Sequence, residues 1–184
     1  MRFGIALLRA VVGALFMGHG LQKLAGWFGG HGLEATANAF EGMGLRPGKV
    51  HATAAGVAET AGGALLLTGA ATPLAAGMLS GTMTTAVRKV HLANGVWNTD
   101  GGFEYNAVLL AALFAITAAG PGTGALDEGH AGTGWAIAEF AAGVLGAEAL
   151  IRFAGSQPAP ARDAQDAMET ASAQKTAEPA GSAA

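Results

Sequence analysis

The chain has 184 residues, 51% of them hydrophobic and only 12% charged, about half the roughly 25% charged residues of a soluble domain. Its formal net charge is -3 and it carries no Lys/Arg cluster interleaved with aromatics, which sets a nucleic-acid partner aside. Having no cysteine, it forms no disulfide, thiolate metal site or thiol redox centre of its own.

Ala and Gly rather than Val and Ile supply the apolar residues, and nothing alternates with period two. That pattern points to an all-α bundle packed through small residues in a membrane, not to a β-barrel. The first apolar run, residues 3–24, exceeds the roughly 7–15 residues of a signal-peptide core. It is followed by Ala25-Gly26-Trp27-Phe28, aromatics suited to a membrane interface, so it reads as a retained first span.

Between the first and second runs lies a short amphipathic stretch, with Leu33, Ala37 and Phe40 on one side and Glu34, Asn38 and Glu41 on the other. Without Lys or Arg on its polar side, it either lies on the membrane surface or docks on the bundle. The second run, 52–71, contains Glu59 and no other charge. The third, 73–92, follows after Thr72 alone, with Pro73 in its first turn, so the two form a tight antiparallel pair. Gly77 and Gly81 share one face of the third run, and Ala55, Glu59 and Gly63 share one face of the second. Packing through those faces buries Glu59 between helices.

Residues 94–103 hold Trp97, Asp100 and glycines, a connection able to fold back over the bundle mouth. A fourth run, 103–120, completes the core. A fifth, 134–153, contains Glu139 and Glu148 and leans on alanine; it is expected to cross the membrane, the alternative being a helix at the interface. Beyond it Ser, Gln, Pro and scattered charge predict disorder. The organisation read is therefore a transmembrane core of four helices over 1–127, an additional helix over 128–153 and a disordered polar tail over 154–184. With five spans, Lys23, Arg46, Lys49, Arg88, Lys89, Arg152 and Arg162 gather on one side against Arg2 and Arg9 on the other, which predicts an outside N-terminus and a cytoplasmic tail.

Ionisable groups inside apolar runs are the candidates for chemistry, because hydrocarbon offers them no partner. His19 and Lys23 are one turn apart on the first helix. They form either a polar lip for an anionic or carbonyl-bearing head group, such as a quinone oxygen, or a snorkelling lysine beside a backbone-bonded histidine. Glu59 is a structural ion pair with Arg9, His19 or Arg88, or a carboxyl that handles protons or ligand.

Arg88 and His91 share a face with Thr84 while Lys89 points elsewhere; they stand at the mouth of the Glu59 cavity or act as cytoplasmic anchors. Glu104 caps the fourth helix or lines the cavity. Two histidines on separate spans, His19 and His91, fall well short of a haem site. His31, His51 and His130, in or near loops, offer no metal site. No phosphate loop, dinucleotide fingerprint or nucleophile–base pair is present.

The order and spacing of several short motifs resemble the DoxX family of small bacterial and archaeal membrane proteins. They are His19-Gly20, Gln22-Lys23-Leu24, Trp27-Phe28-Gly29-Gly30, Gly44-Leu45, Pro47, Glu59 with Gly62-Gly63, Gly69 and Thr72-Pro73. Glu104-Tyr105-Asn106, Gly120-Pro121-Gly122 and Leu126-Asp127 complete the series. The fifth run, the tail, and Ala125 where serine is expected depart from the pattern.

The resemblance implies a four-helix core in the bacterial plasma membrane and an association with quinone-linked oxidoreductases or with oxidative- and thiol-stress responses. It supplies no catalytic residues. The expected role is a membrane subunit or anchor, without intrinsic catalysis or covalently bound cofactor, that offers a quinone-head pocket lined by His19, Lys23, Glu59, Arg88 and His91. Its partners would be the bilayer, an oxidoreductase and a second copy of the chain. The alternative is a small proton-coupled transporter using Glu59 as the titrating group.

Overall fold

A computed structural model describes residues 2–127 and 129–158, and these are helices and connections without a strand. The expected tail lies, from residue 159 onward, outside the described residues. Six α-helices follow in order: α1 Arg2–Ala25, α2 Gly32–Gly42, α3 Gly48–Thr68, α4 Thr72–Ala86, α5 Glu104–Ala119 and α6 Thr133–Gly155. Gly69 ends α3 with φ 68°, a left-handed conformation that glycine adopts without a Cβ penalty. The short connection through Ala71 then turns the chain into α4.

Polarity is arranged inside out. On α1, Phe3, Leu7, Val11 and Leu15 face outward and are exposed, whereas Arg9, Val12, Gly13 and Phe16 are buried. Glu59, Ser80, Asn106 and Glu139 are buried on the other helices while Val57, Val108, Ile137 and Leu145 are exposed. A surface so apolar is suited to lipid and not to water. Two helices, α1 and α6, are long and apolar enough to cross a membrane. At about 1.5 Å per residue, the 24 residues of α1 measure roughly 36 Å and the 16 of α5 roughly 24 Å, against ~30 Å of hydrocarbon. The fifth run, expected to be the weakest span, is therefore one of the two longest apolar helices.

Two seams organise the bundle. In the first, α3 runs antiparallel to α1; a Cβ added at Gly63 would come within 2.6 Å of the Gly13 carbonyl and the Met17 amide. Gly20, farther along, meets Gly56 and Thr60. In the second, α4 and α6 run side by side in the same direction, with Gly77 against Glu139 and Gly81 against Gly143. The expected use of the Gly77–Gly81 face against α3 is thus corrected. That face accepts α6, because α3 has already spent Gly63 on α1 and meets α4 through Gly62 and Leu79 instead. Val12, Phe16, Leu66, Leu79, Leu113 and Ile116 form the core among α1, α3, α4 and α5.

Of the two placements weighed for the amphipathic stretch, the structure has the docked one. Helix α2 packs on α3 with Ala37 buried. Glu41 Oε2 accepts the Gly48 amide, and Glu34 pairs with Lys49 at 2.6 Å.

Candidate functional site

The C-terminal third of α1 supplies the first wall of a cavity of about 530 Å³. Gly20 lets α3 approach closely there, which brings the Lys23 ammonium within 2.6 Å of Glu59 Oε2. The same ammonium lies 3.5 Å from the His19 carbonyl, one turn back. Glu59 is 4% exposed, and its cation sits at the better-hydrated end of the pair, so its charge is matched without reaching a bundle end. The expected partners Arg9, His19 and Arg88 give way to Lys23. Arg9 is buried at the opposite end of α1, donating to the Thr123 carbonyl at 3.4 Å.

His19 is oriented by a short relay. Gln22 Nε2 donates to the Phe28 carbonyl at 3.2 Å, which turns Gln22 Oε1 toward His19 Nδ1 at 3.0 Å. An amide oxygen only accepts, so Nδ1 carries the hydrogen. His91 is fixed in the same way, its Nδ1 donating to the Gly101 carbonyl at 2.7 Å. Both rings line the cavity, and in the neutral form each keeps Nε2 as an acceptor.

The end of α4 departs from the expected helix. After Ala86 a single π turn spans Val87–His91, and a short 3-10 turn Leu92–Asn94 follows. A π turn bonds to the fifth residue rather than the fourth, so α-helical spacing misplaces the side chains beyond it. Lys89 and His91 line the cavity; Arg88 does not. Arg88 points to α6, where Nε meets Glu148 Oε1 at 2.7 Å in an exposed pair. Placing Arg88 at the cavity mouth and Lys89 away from it is therefore corrected.

The connection before α5 contributes Asn98 to the lining. Glu104 stays outside: it is exposed, and its Oε2 accepts the Asn98 amide at 3.0 Å, which anchors this connection to the first turn of α5. Thr82 and Thr85 on α4 and Tyr105 and Asn106 on α5 complete the polar lining, with Asn106 Nδ2 3.4 Å from the Met83 sulfur. The remaining wall is mostly apolar, including Phe40 on α2, Leu45 after it, Met78 on α4 and Leu150 on α6. His51, read as a loop residue, belongs to the first turn of α3, bonds the Arg46 carbonyl at 3.0 Å and also lines the cavity.

Glu139 is the buried group that sequence reasoning passed over. It is 5% exposed on α6, with Oε2 accepting the Ser80 hydroxyl at 3.2 Å and Oε1 without a hydrogen-bond partner among the described residues. Its position within an apolar run was the same signal that marked Glu59. Among the described residues no cluster of three or more His, Asp or Glu could hold a metal ion.

The family model for DoxX matches residues 4–92. This chain belongs to the DoxX family. It is accordingly a small membrane protein. No curated protein and no solved structure matches the chain. The matched stretch of the DoxX protein carries α1 to α4 and the π turn, hence His19, Lys23, Glu59, Lys89 and His91. The motifs around Glu104 and Leu126, and all of α6, lie beyond it.

Proposed function

We propose that this DoxX-family protein is a multi-pass subunit of the bacterial plasma membrane that serves a quinone-linked oxidoreductase or an oxidative- or thiol-stress system. Its own contribution is a membrane-depth cavity for the head group of a lipid-dissolved ligand. The observation that carries this reading is a buried Lys23–Glu59 pair in the wall of a largely apolar cavity of about 530 Å³, inside the roughly 300–1,000 Å³ range of small-molecule sites. In this reading α1, α3, α4, α5 and α6 all cross the bilayer. Lys23, Arg46, Lys49, Arg88, Lys89 and Arg152 cluster at one end of the bundle, which makes that end cytoplasmic.

The lining residues suit a quinone head. Apolar side chains pack against a ring, and Lys23, Tyr105 and Asn106 offer donors to its carbonyl oxygens. When bound, a quinone supplies two-electron redox chemistry; the chain's residues hold and orient it. Purification from native membranes in mild detergent tests the reading. A co-purifying oxidoreductase and extractable quinone are expected, with the quinone lost in Glu59→Gln. A preparation with neither overturns it.

The burial of Glu59 beside an accessible cavity also favours a second reading, a proton-coupled transporter with Glu59 as the titrating carboxyl. Solute uptake by proteoliposomes that disappears in Glu59→Gln would select it over the first.

A further inference from the structure

The π turn that ends α4 places a cation in the cavity without giving it an anion. Lys89 lines the wall, and its ammonium makes no hydrogen bond or ion pair among the described residues. Gly44 across the gap is loosely placed, since a Cβ added there would still be 3.9 Å from Nζ. The one carboxylate among the described residues of the lining, Glu59, is already held by Lys23 at 2.6 Å. Arg88, the neighbouring cation, is likewise satisfied outside the cavity by Glu148. The lining therefore has one ammonium more than it has carboxylates, in mostly apolar surroundings where a charge-assisted bond to an anion is strengthened.

The shape beside Lys89 completes the argument. Going back along α4 from Lys89 toward the bundle interior, the cavity wall is made by Gly81 and Gly77, and α6 faces them with Gly143 and Ala147. Because α4 and α6 are in contact through these small residues, their seam forms a smooth, mostly apolar floor of the cavity, which Ala54, Ala55 and Ala58 of α3 also line. Lys89 lies just past the C-terminal end of α4, beyond that floor. A volume of about 530 Å³ suits a single-chain molecule, being inside the roughly 300–1,000 Å³ of drug-sized sites.

We propose that the cavity binds a long-chain carboxylate, its head on the Lys89 ammonium and its alkyl chain along the cavity floor made by the α4–α6 seam. The proposal rests on reading the cavity as a ligand site, and it is independent of whether quinone occupies the Lys23–Glu59 side.

Binding of palmitate, hexadecan-1-ol, acetate and decylubiquinone to the full-length protein in nonionic detergent tests it. Palmitate is expected to bind at least about tenfold more tightly than hexadecan-1-ol, with acetate failing to displace it. Lys89→Gln should lower palmitate affinity about tenfold and leave hexadecan-1-ol unchanged, whereas Lys89→Arg and Arg88→Gln keep the preference. Equal binding of palmitate and hexadecan-1-ol by the unaltered protein overturns the proposal whether or not the variants fold. So does a preference that survives Lys89→Gln. If decylubiquinone alone binds, the carboxylate site fails and the cavity reading stands; if no probe binds, both fail.

Discussion

The two glycine-lined seams each bury one glutamate and satisfy it in different ways. Between α1 and α3, Glu59 meets the Lys23 ammonium at 2.6 Å. Between α4 and α6, Glu139 meets the Ser80 hydroxyl at 3.2 Å, and its second oxygen has no partner among the described residues. Burial is nearly identical, 4% and 5% exposed, so the seams differ in the chemistry of the partner and not in depth. Removing the partner from a charge-matched seam strands the opposite charge; removing it from a hydroxyl-matched seam costs one hydrogen bond. The first seam should therefore be the more sensitive of the two.

The strongest way to break that comparison is Lys23→Met, which leaves Glu59 buried without its cation. A loss of about 3 kcal/mol is expected, at the low end of broken buried pairs because the ammonium is partly hydrated. Equilibrium unfolding in mixed micelles measures it. The double variant Lys23→Met with Glu59→Met should recover much of the loss, and a double variant no more stable than the single one would remove the ion pair from the account.

Next in size is the packing of the seams themselves. A methyl at Gly63 meets the α1 backbone at 2.6 Å, while one at Gly77 stands 3.4 Å from the Glu139 carbonyl. Gly63→Ala should destabilise by about 1–3 kcal/mol, as overpacked cores do, and Gly77→Ala by a few tenths. Thermal midpoints in detergent rank the two, and a reversed order would contradict the closer approach of α1 to Gly63 than of α6 to Gly77.

Glu139→Gln sharpens the contrast from the other side. Glutamine keeps an acceptor for Ser80, so the expected loss is about 1 kcal/mol or less, the scale of one neutral hydrogen bond. A loss as large as that of Lys23→Met would mean that Glu139 is matched by more than Ser80. The smallest effect belongs to Arg88→Gln. Its pair with Glu148 is solvent-exposed, a class worth about 0–1 kcal/mol, and ligand retention should be unchanged in the same preparation.

Much of this was legible in the residues. The apolar runs gave the positions of α1, α3, α5 and α6 because a helix of that composition has nowhere else to place its backbone polar groups. The burial of Glu59 followed from its distance to either end of its run. His19 and Lys23 came together because four residues make one helical turn. The end of α4 was not legible: side-chain spacing assumes an unbroken α-helix, and the π turn at Val87–His91 exchanges the places of Arg88 and Lys89. Nor was the partner of the Gly77–Gly81 face, since a stripe of small residues states that a helix comes close without stating which one.

Composition and periodicity alone pointed to an all-α membrane protein with its few charges turned inward, because those properties are local and follow from how each run meets hydrocarbon; the family rests on the order of the motifs and on the DoxX match over residues 4–92. Which cation meets Glu59, that Glu139 faces Ser80, and that Lys89 opens onto the cavity were decided by tertiary structure. Each depends on the rotation and offset of one helix against another, and those are fixed only when glycines from distant parts of the chain close the seams together.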